Sequence, residues 1–295
     1  MQTDNTRQEI LKKVRKIEIK TRGLSQQIFS GQYHSAFKGR GMAFSEVREY
    51  QYGDDVRNID WNVTARFNHP FIKIFEEERE LTVMLLIDVS GSNEFGSNRQ
   101  MKKMLAAELA AVLAFSAIQN NDKVGVIFFS DIIEKFIPPK KGTSHILRII
   151  REVISFNPQH KNTDIGEAIR FLTSAIKKRS TAFLISDFIT GDFQQPLKIA
   201  ARKHDLIALR ITDSREEELP PVGLIRFADA ETGKQMWIDT SSKDTRNYYK
   251  IWMRKKSEEL NVIFAKNGVD NTLLYTDQDY VRPLMKLFKK RGSRI

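Results

Sequence analysis

Apolar residues recur along this chain with two alternating periods, which predicts strands and helices in alternation. Over residues 6–20, Ile10, Leu11, Val14 and Ile17 fall on one helical face and charges take the other, the pattern of a docking helix. Residues 81–87 form a mostly apolar run, suited to a central strand covered on both faces. A helix at 101–119, a turn at Asn120-Asn121-Asp122 and a strand at 123–129 complete a β-α-β unit. Residues 132–137 are expected to pair as a hairpin partner before Pro138-Pro139 ends them. Helices at 143–154 and 164–178, a strand at 182–185, a helix at 193–203 and a strand at 206–211 continue the rhythm. Leu224-Ile225-Arg226-Phe227 and Gln235-Met236-Trp237-Ile238 flank Glu231-Thr232-Gly233 as a β-hairpin, most simply an insertion at about 220–240. A helix at 243–266, a strand at 272–275 and a helix at 279–290 close the series.

This order predicts an α/β fold: a doubly wound, mostly parallel sheet with flanking helices and right-handed crossovers. Residues 21–80 differ, because turn formers, charges and aromatics alternate there without a clean period; only a short strand at 71–75 is expected. The expected division is residues 1–80, an N-terminal helix and a segment of specific contacts, and residues 81–295, the α/β domain with its hairpin insertion.

Composition narrows the chemistry. The chain has 295 residues, 41% hydrophobic and 29% charged, enough for one large domain or two smaller ones. The absence of cysteine excludes disulfides, thiolate zinc sites, iron–sulfur clusters and cysteine nucleophiles. The polar opening Met1-Gln2-Thr3-Asp4-Asn5 lacks the order of a secretory signal, and no apolar helix is long enough to span a bilayer, so a cytoplasmic protein is expected. A net charge of +11 raises nucleic acid as a ligand. However, the densest basic groups, Lys177-Lys178-Arg179 and Lys289-Lys290-Arg291, fall where helices should end and lack interleaved aromatics. Solvated surface is the stronger reading.

The run at 81–87 ends in Asp88-Val89-Ser90-Gly91-Ser92, a carboxylate and two hydroxyls at every second residue. Ligands bind at the carboxyl ends of strands in open α/β sheets. One carboxylate with neutral hydroxyls suits Mg²⁺ better than Zn²⁺ or Ca²⁺. Two further oxygen-bearing loops, Asn162-Thr163-Asp164 and Ser186-Asp187, fall where a shared cation site would need them. Catalytic alternatives lack parts. A phosphoryl-accepting Asp88 would need a second carboxylate two residues on, where Ser90 stands. No P-loop and no Gly-x-Ser-x-Gly occur, and the five histidines show no paired metal spacing. A metal-dependent phosphoester hydrolase and a basic nucleic-acid-binding module are the competing functions; the first lacks a general base and the second a patch.

Together the three loops resemble the von Willebrand factor type A domain and its metal-ion-dependent adhesion site. Carried across by position, Asp88, Ser90, Ser92, Thr163 and Asp187 match the ligand set. The resemblance implies Mg²⁺, with Mn²⁺ or Ca²⁺ as alternatives, and one open coordination position for an acidic side chain of a partner. Gly39-Arg40-Gly41, Phe44, Arg48-x-Tyr50, Gly53-Asp54-Asp55-x-Arg57-x-Ile59-Asp60-Trp61 and Ala65-Arg66 narrow it further, being similar to the hallmark of bacterial domain-of-unknown-function family 58. Glu76-Glu77-Glu78-Arg79-Glu80-Leu81 and Leu219-Pro220-x-Val222-Gly223-Leu224 fit the same family, so the resemblance runs from Ser35 onward. It implies a non-enzymatic protein-interaction adaptor beside a MoxR-type AAA+ ATPase or its client, in complex maturation, envelope integrity or stress tolerance. No specific nucleic acid, membrane span or small-molecule substrate is expected. Asp54, Asp55 and Asp60 are expected to be neutralised by Arg48, Arg57 and Arg66 in a buried network, with Trp61 and Tyr50 as packing anchors.

Overall fold

The apolar runs become the strands of one six-stranded sheet, and most of the polar, aperiodic segment forms a compact unit of its own. The computed structural model describes residues 2–25, 33, 43–76, 81–94, 101–228 and 235–293. Two compact units result, Met1–Phe37 with Thr82–Ile295, and Lys38–Leu81. Helix α1 (Gln2–Leu24) opens the larger unit and buries Val14 and Ile17, as its apolar stripe requires.

In the smaller unit, β1 (Ala43–Glu49) pairs antiparallel with β2 (Phe71–Glu76), with a bulge between Phe44 and Glu46. Strand β1 has no clear apolar alternation, since Ser45, Glu46 and Arg48 interrupt it, and a two-stranded ribbon needs none. Helix α2 (Trp61–Phe67) starts at Asp60, whose carboxylate accepts the N–H groups of Asn62 and Val63 at 3.0 and 3.2 Å. It ends at Asn68, left-handed at φ 55°. Arg48 grips Asp54 through two bonds of 2.9 and 2.8 Å, the bidentate geometry a guanidinium favours. The rest of the expected network is different. Asp55 meets Arg57 at 3.4 Å on the exposed surface, and Asp60 pairs with Lys73 at 3.5 Å, not with Arg66. Trp61 is 69% exposed, so it is not a packing anchor; Tyr50 is half-buried. Gly39-Arg40-Gly41 and Glu77-Glu78-Arg79-Glu80 lie outside the described residues.

The larger unit is built on a six-stranded sheet of order β10-β7-β6-β3-β4-β5. Its strands are β3 (Thr82–Asp88), β4 (Lys123–Phe129), β5 (Ile133–Lys140), β6 (Thr181–Ser186), β7 (Asp205–Thr212) and β10 (Asp270–Tyr275). All neighbours run parallel except β5, which is antiparallel to β4 at the edge. Counted within this sheet from the β5 edge the order is 3-2-1-4-5-6, the doubly wound arrangement, and winding reverses between β3 and β6. The α/β, mostly parallel sheet expected from the alternation is therefore present.

Helix α3 (Lys102–Gln119) is apolar on nearly every side, and its residues are buried from Leu105 to Ala117. It packs against α1 and α4 (Thr143–Ser155). On the opposite sheet face, Met84, Leu86 and Leu184 join residues of α5 (Ile165–Ala175), α6 (Gln194–Lys203) and Phe264 of α8 (Lys243–Lys266) in one core. The one-turn helix α7 (Ser214–Glu217) follows β7, closed by a capping box between Asp213 and Glu216. The hairpin of β8 (Leu224–Ala228) and β9 (Gln235–Asp239) pairs antiparallel as expected, and its turn lies outside the described residues. Helix α9 (Val281–Gly292) ends the described chain.

Strand β5 corrects one expectation. It runs through Pro138 and Pro139 to Lys140 rather than stopping before them. An edge strand tolerates proline because one side of its backbone has no ladder partner to satisfy. The register shifts between Val124 and Val126, and Gly125 lets Pro139 approach: a Cβ there would lie 2.9 Å from the Pro139 nitrogen and 2.8 Å from Met84 Sδ.

Candidate functional site

Reversal of winding between β3 and β6 leaves a crevice at their carboxyl ends, the place where ligands bind in open α/β sheets. Both sequence-predicted aspartates sit there. Asp88 closes β3, and Asp187 immediately follows β6. Register carries Ile87 beside Ile185, so the next residues of the two strands leave the sheet as neighbours. Ser186 Oγ donates to Asp88 Oδ2 at 2.6 Å, and the Ser90 N–H donates to Asp88 Oδ1 at 2.9 Å. The hydroxyls of Ser90 and Ser92 lie 3.1 Å apart. Asp88, Ser90, Ser92 and Asp187 are thus gathered within one small volume.

Thr163 is brought in through the backbone. Its loop is tied to the first by Gly91 N–H donating to Lys161 O at 2.9 Å, and to the third by Thr190 Oγ1 donating to Thr163 O at 2.9 Å. The Asp164 N–H also donates to Ser130 O, at 2.9 Å, at the end of β4. Glu134 of β5 braces the approach to Thr163, accepting the N–H groups of Gln159 and His160, each at 3.0 Å. Two strand-end loops and the loop between α4 and α5 therefore converge, with Thr163 half-buried among them.

Electrostatics mark the site as short of positive charge. Burial pushes the Asp88 carboxyl up to about 7, and the neighbouring Asp187 adds to this against the Ser186 and Ser90 donors. One cation is already present: Lys102, the first residue of α3, is wholly buried with Nζ 2.9 Å from Asp187 and 2.7 Å from Glu216. Burial opposes its charge, but Asp187 and Glu216 outweigh that and hold its pKa above the ordinary lysine value. Glu216 is pushed up by burial, with Lys102 partly offsetting the shift. Asp88, Asp187 and Glu216 against one ammonium leave two negative charges when all ionise, which is the charge of one divalent cation.

Lys102 and Glu216 escaped the sequence reading. Lys102 looks like the polar start of a helix beside Lys103, and Glu216 like one of the acidic run Glu216-Glu217-Glu218. Only the fold brings them together, with Lys102 Nζ between Asp187 and Glu216.

The donor set suits a hard divalent ion. Every side-chain donor among Asp88, Ser90, Ser92, Thr163 and Asp187 is oxygen. Among the described residues no group of three or more His, Asp or Glu forms a metal cluster, so an ion held here would rely on hydroxyl oxygen beside the carboxylates. No described helix is long and apolar enough to cross a membrane.

The chain is similar to several known proteins. A protein of Mycobacterium bovis recorded as uncharacterised is 30% identical over 287 residues, covering 95% of this chain and 90% of that protein. Among solved structures, the conserved hypothetical protein BatB from Bacteroides thetaiotaomicron aligns at TM-score 0.49 and 18% identity, over 72% of this chain and 99% of that one. Proximal thread matrix protein 1 from the mussel byssus, with a zinc-occupied MIDAS motif, aligns at TM-score 0.38 and 17% identity, over 45% of this chain and 38% of that one. The family described as protein of unknown function DUF58 matches residues 46–259, and the chain belongs to that family.

Proposed function

We propose that the protein is a non-enzymatic interaction adaptor whose Asp88, Ser90, Ser92, Thr163 and Asp187 hold a Mg²⁺-type cation, with Mn²⁺ or Ca²⁺ as alternatives. The observation that carries this reading is the convergence of two buried carboxylates and paired serine hydroxyls at the β3–β6 switch point, where burial and Asp187 push Asp88 up to about 7. A buried site with surplus negative charge is stabilised by a counter-cation. When bound, the ion supplies a Lewis-acidic position able to accept a carboxylate oxygen from outside.

The rim favours a protein over a small molecule as the carboxylate's source. Met101, beside Lys102, is 55% exposed, and Ile189, two residues beyond Asp187, is 44% exposed. Exposed apolar side chains next in sequence to the site residues offer contact area to a protein partner. A net charge of +11 assists an acidic partner. The partner we assign is a MoxR-type AAA+ ATPase or its client, in the cytoplasm, in complex maturation or stress tolerance.

Titration calorimetry of chelator-treated protein with Mg²⁺ and Mn²⁺ tests the site. Saturable binding lost in Asp88→Ala supports it; no binding, or equal binding by the variant, overturns it. Pull-down of the ATPase with and without chelator tests the partner, and chelator-independent capture would remove the cation from the interaction.

A further inference from the structure

Lys102 is not required by the five-residue site, and its place is unusual. A wholly buried lysine side chain is costly unless its charge is matched, and here it is matched twice. One partner, Asp187, belongs to the candidate cation site at the end of β6; the other, Glu216, lies in the one-turn helix after β7. The same Asp187 carboxylate therefore meets an internal ammonium through Oδ2 and belongs to the candidate cation site.

We infer that Lys102 is a positioning residue that competes with the divalent cation for Asp187 and that Glu216 draws it off, so that this buried pair sets the affinity of the site. The inference rests on the cation reading above. Two positive charges on one carboxylate repel each other, more strongly in a buried site than in water. Glu216 acts in the opposite sense, because it shares the ammonium at 2.7 Å and lessens its hold on Asp187. The second anchor is itself braced. Glu216 Oε2 accepts the Asp213 N–H at 3.1 Å, and its backbone carbonyl accepts Tyr249 Oη of α8 at 2.9 Å. The acidity of the cation site is thereby joined to the helices that follow β7.

The test is the sign of two substitutions. Lys102→Met keeps an unbranched apolar stem but removes the charge, and should tighten Mg²⁺ binding by about tenfold or more in calorimetry. It should also lower the melting temperature without divalent ion and enlarge the rise on adding it. Glu216→Gln leaves Lys102 with Asp187 alone, and should weaken binding by about tenfold. A lysine that only supports packing would make both variants weaker. That outcome, or an unchanged dissociation constant in either variant, overturns the inference. Should Lys102→Met fail to fold, Glu216→Gln decides: weaker binding supports the competition, and equal or tighter binding overturns it. Absence of Mg²⁺ binding by the wild type overturns the cation reading itself, and the competition with it.

Discussion

Ser186 Oγ donates to Asp88 Oδ2 at 2.6 Å, joining the ends of two adjacent parallel strands at the point where the sheet's winding reverses. The contact satisfies one carboxylate oxygen but brings no countercharge. Two donors hold Asp88 while burial and Asp187 disfavour its ionised form, which pushes its pKa up to about 7.

Removing that charge should stabilise the cation-free protein. A carboxyl whose folded pKa exceeds its unfolded value contributes stability below about pH 4, and that contribution is lost as pH rises towards about 7. Asp88→Asn, with the shape kept and the charge gone, should therefore raise stability at pH 8 by on the order of a few kcal/mol without divalent ion. Its advantage should shrink towards pH 4. Urea unfolding at both pH values checks this, and Mg²⁺ should stabilise the wild type but not the variant. A variant less stable than wild type at pH 8 without cation would refute the charge argument.

How much of this could be read from residue order depends on how local each signal is. Asp88, Ser90 and Ser92 stand two apart behind an apolar run, so one strand end presents them together, and alternation alone placed that strand in a parallel sheet. The positions of Thr163 and Asp187 came from family resemblance; Asp187 reaches Asp88 through strand pairing, with Ile87 opposite Ile185, and the Thr163 loop is tied in by the hydrogen bonds of Gly91 to Lys161 and of Thr190 to Thr163. Lys102 was illegible because its partner Asp187 lies 85 positions away and its helix is otherwise apolar. In residues 38–81 the charges misled. Sequence proximity suggested one of Arg48, Arg57 and Arg66 for Asp60, whereas strand β2 supplies Lys73. Trp61 follows the cap at the first helical position, where its side chain is left outside.

Gly125 should not tolerate a side chain. A Cβ there would meet Met84 Sδ, Pro139 N and Ile137 O at 2.8, 2.9 and 3.0 Å. The sulfur can move, but the two backbone atoms belong to the edge strand whose prolines fix its path. Gly125→Ala should therefore destabilise the protein by roughly 1–3 kcal/mol, read as a lower urea midpoint. An unchanged midpoint would mean that β5 moves freely from β4.

In the smaller unit, Asp60 and Trp61 should separate by function. Asp60 caps α2 with two backbone hydrogen bonds, whereas Trp61 is 69% exposed. Trp61→Ala should change stability by no more than about 0.5 kcal/mol. Asp60→Ala should lower the melting temperature further than Trp61→Ala does, since it also removes the Lys73 pair. Matched melts of the two variants give the order. A larger loss in Trp61→Ala would refute this order.

Acid should unfold the protein partly through His204. This histidine is buried at the end of α6, with Nδ1 3.0 Å from Ser180 Oγ and no hydrogen-bond partner for Nε2 among the described residues. Burial, with lesser contributions from Lys203 and Arg179, lowers its pKa to about 4. Since the unfolded imidazole titrates near 6.5, the unfolded chain takes up the proton first as pH falls. Stability from the neutral ring is therefore complete above about pH 6.5 and lost progressively down to about 4, a total of roughly 3 kcal/mol. His204→Gln removes the titration while keeping a polar side chain, so the fall in unfolding free energy between pH 7.5 and 4.5 should be smaller in the variant. Urea denaturation at the two pH values measures the difference, and equal falls would show that the proton enters elsewhere.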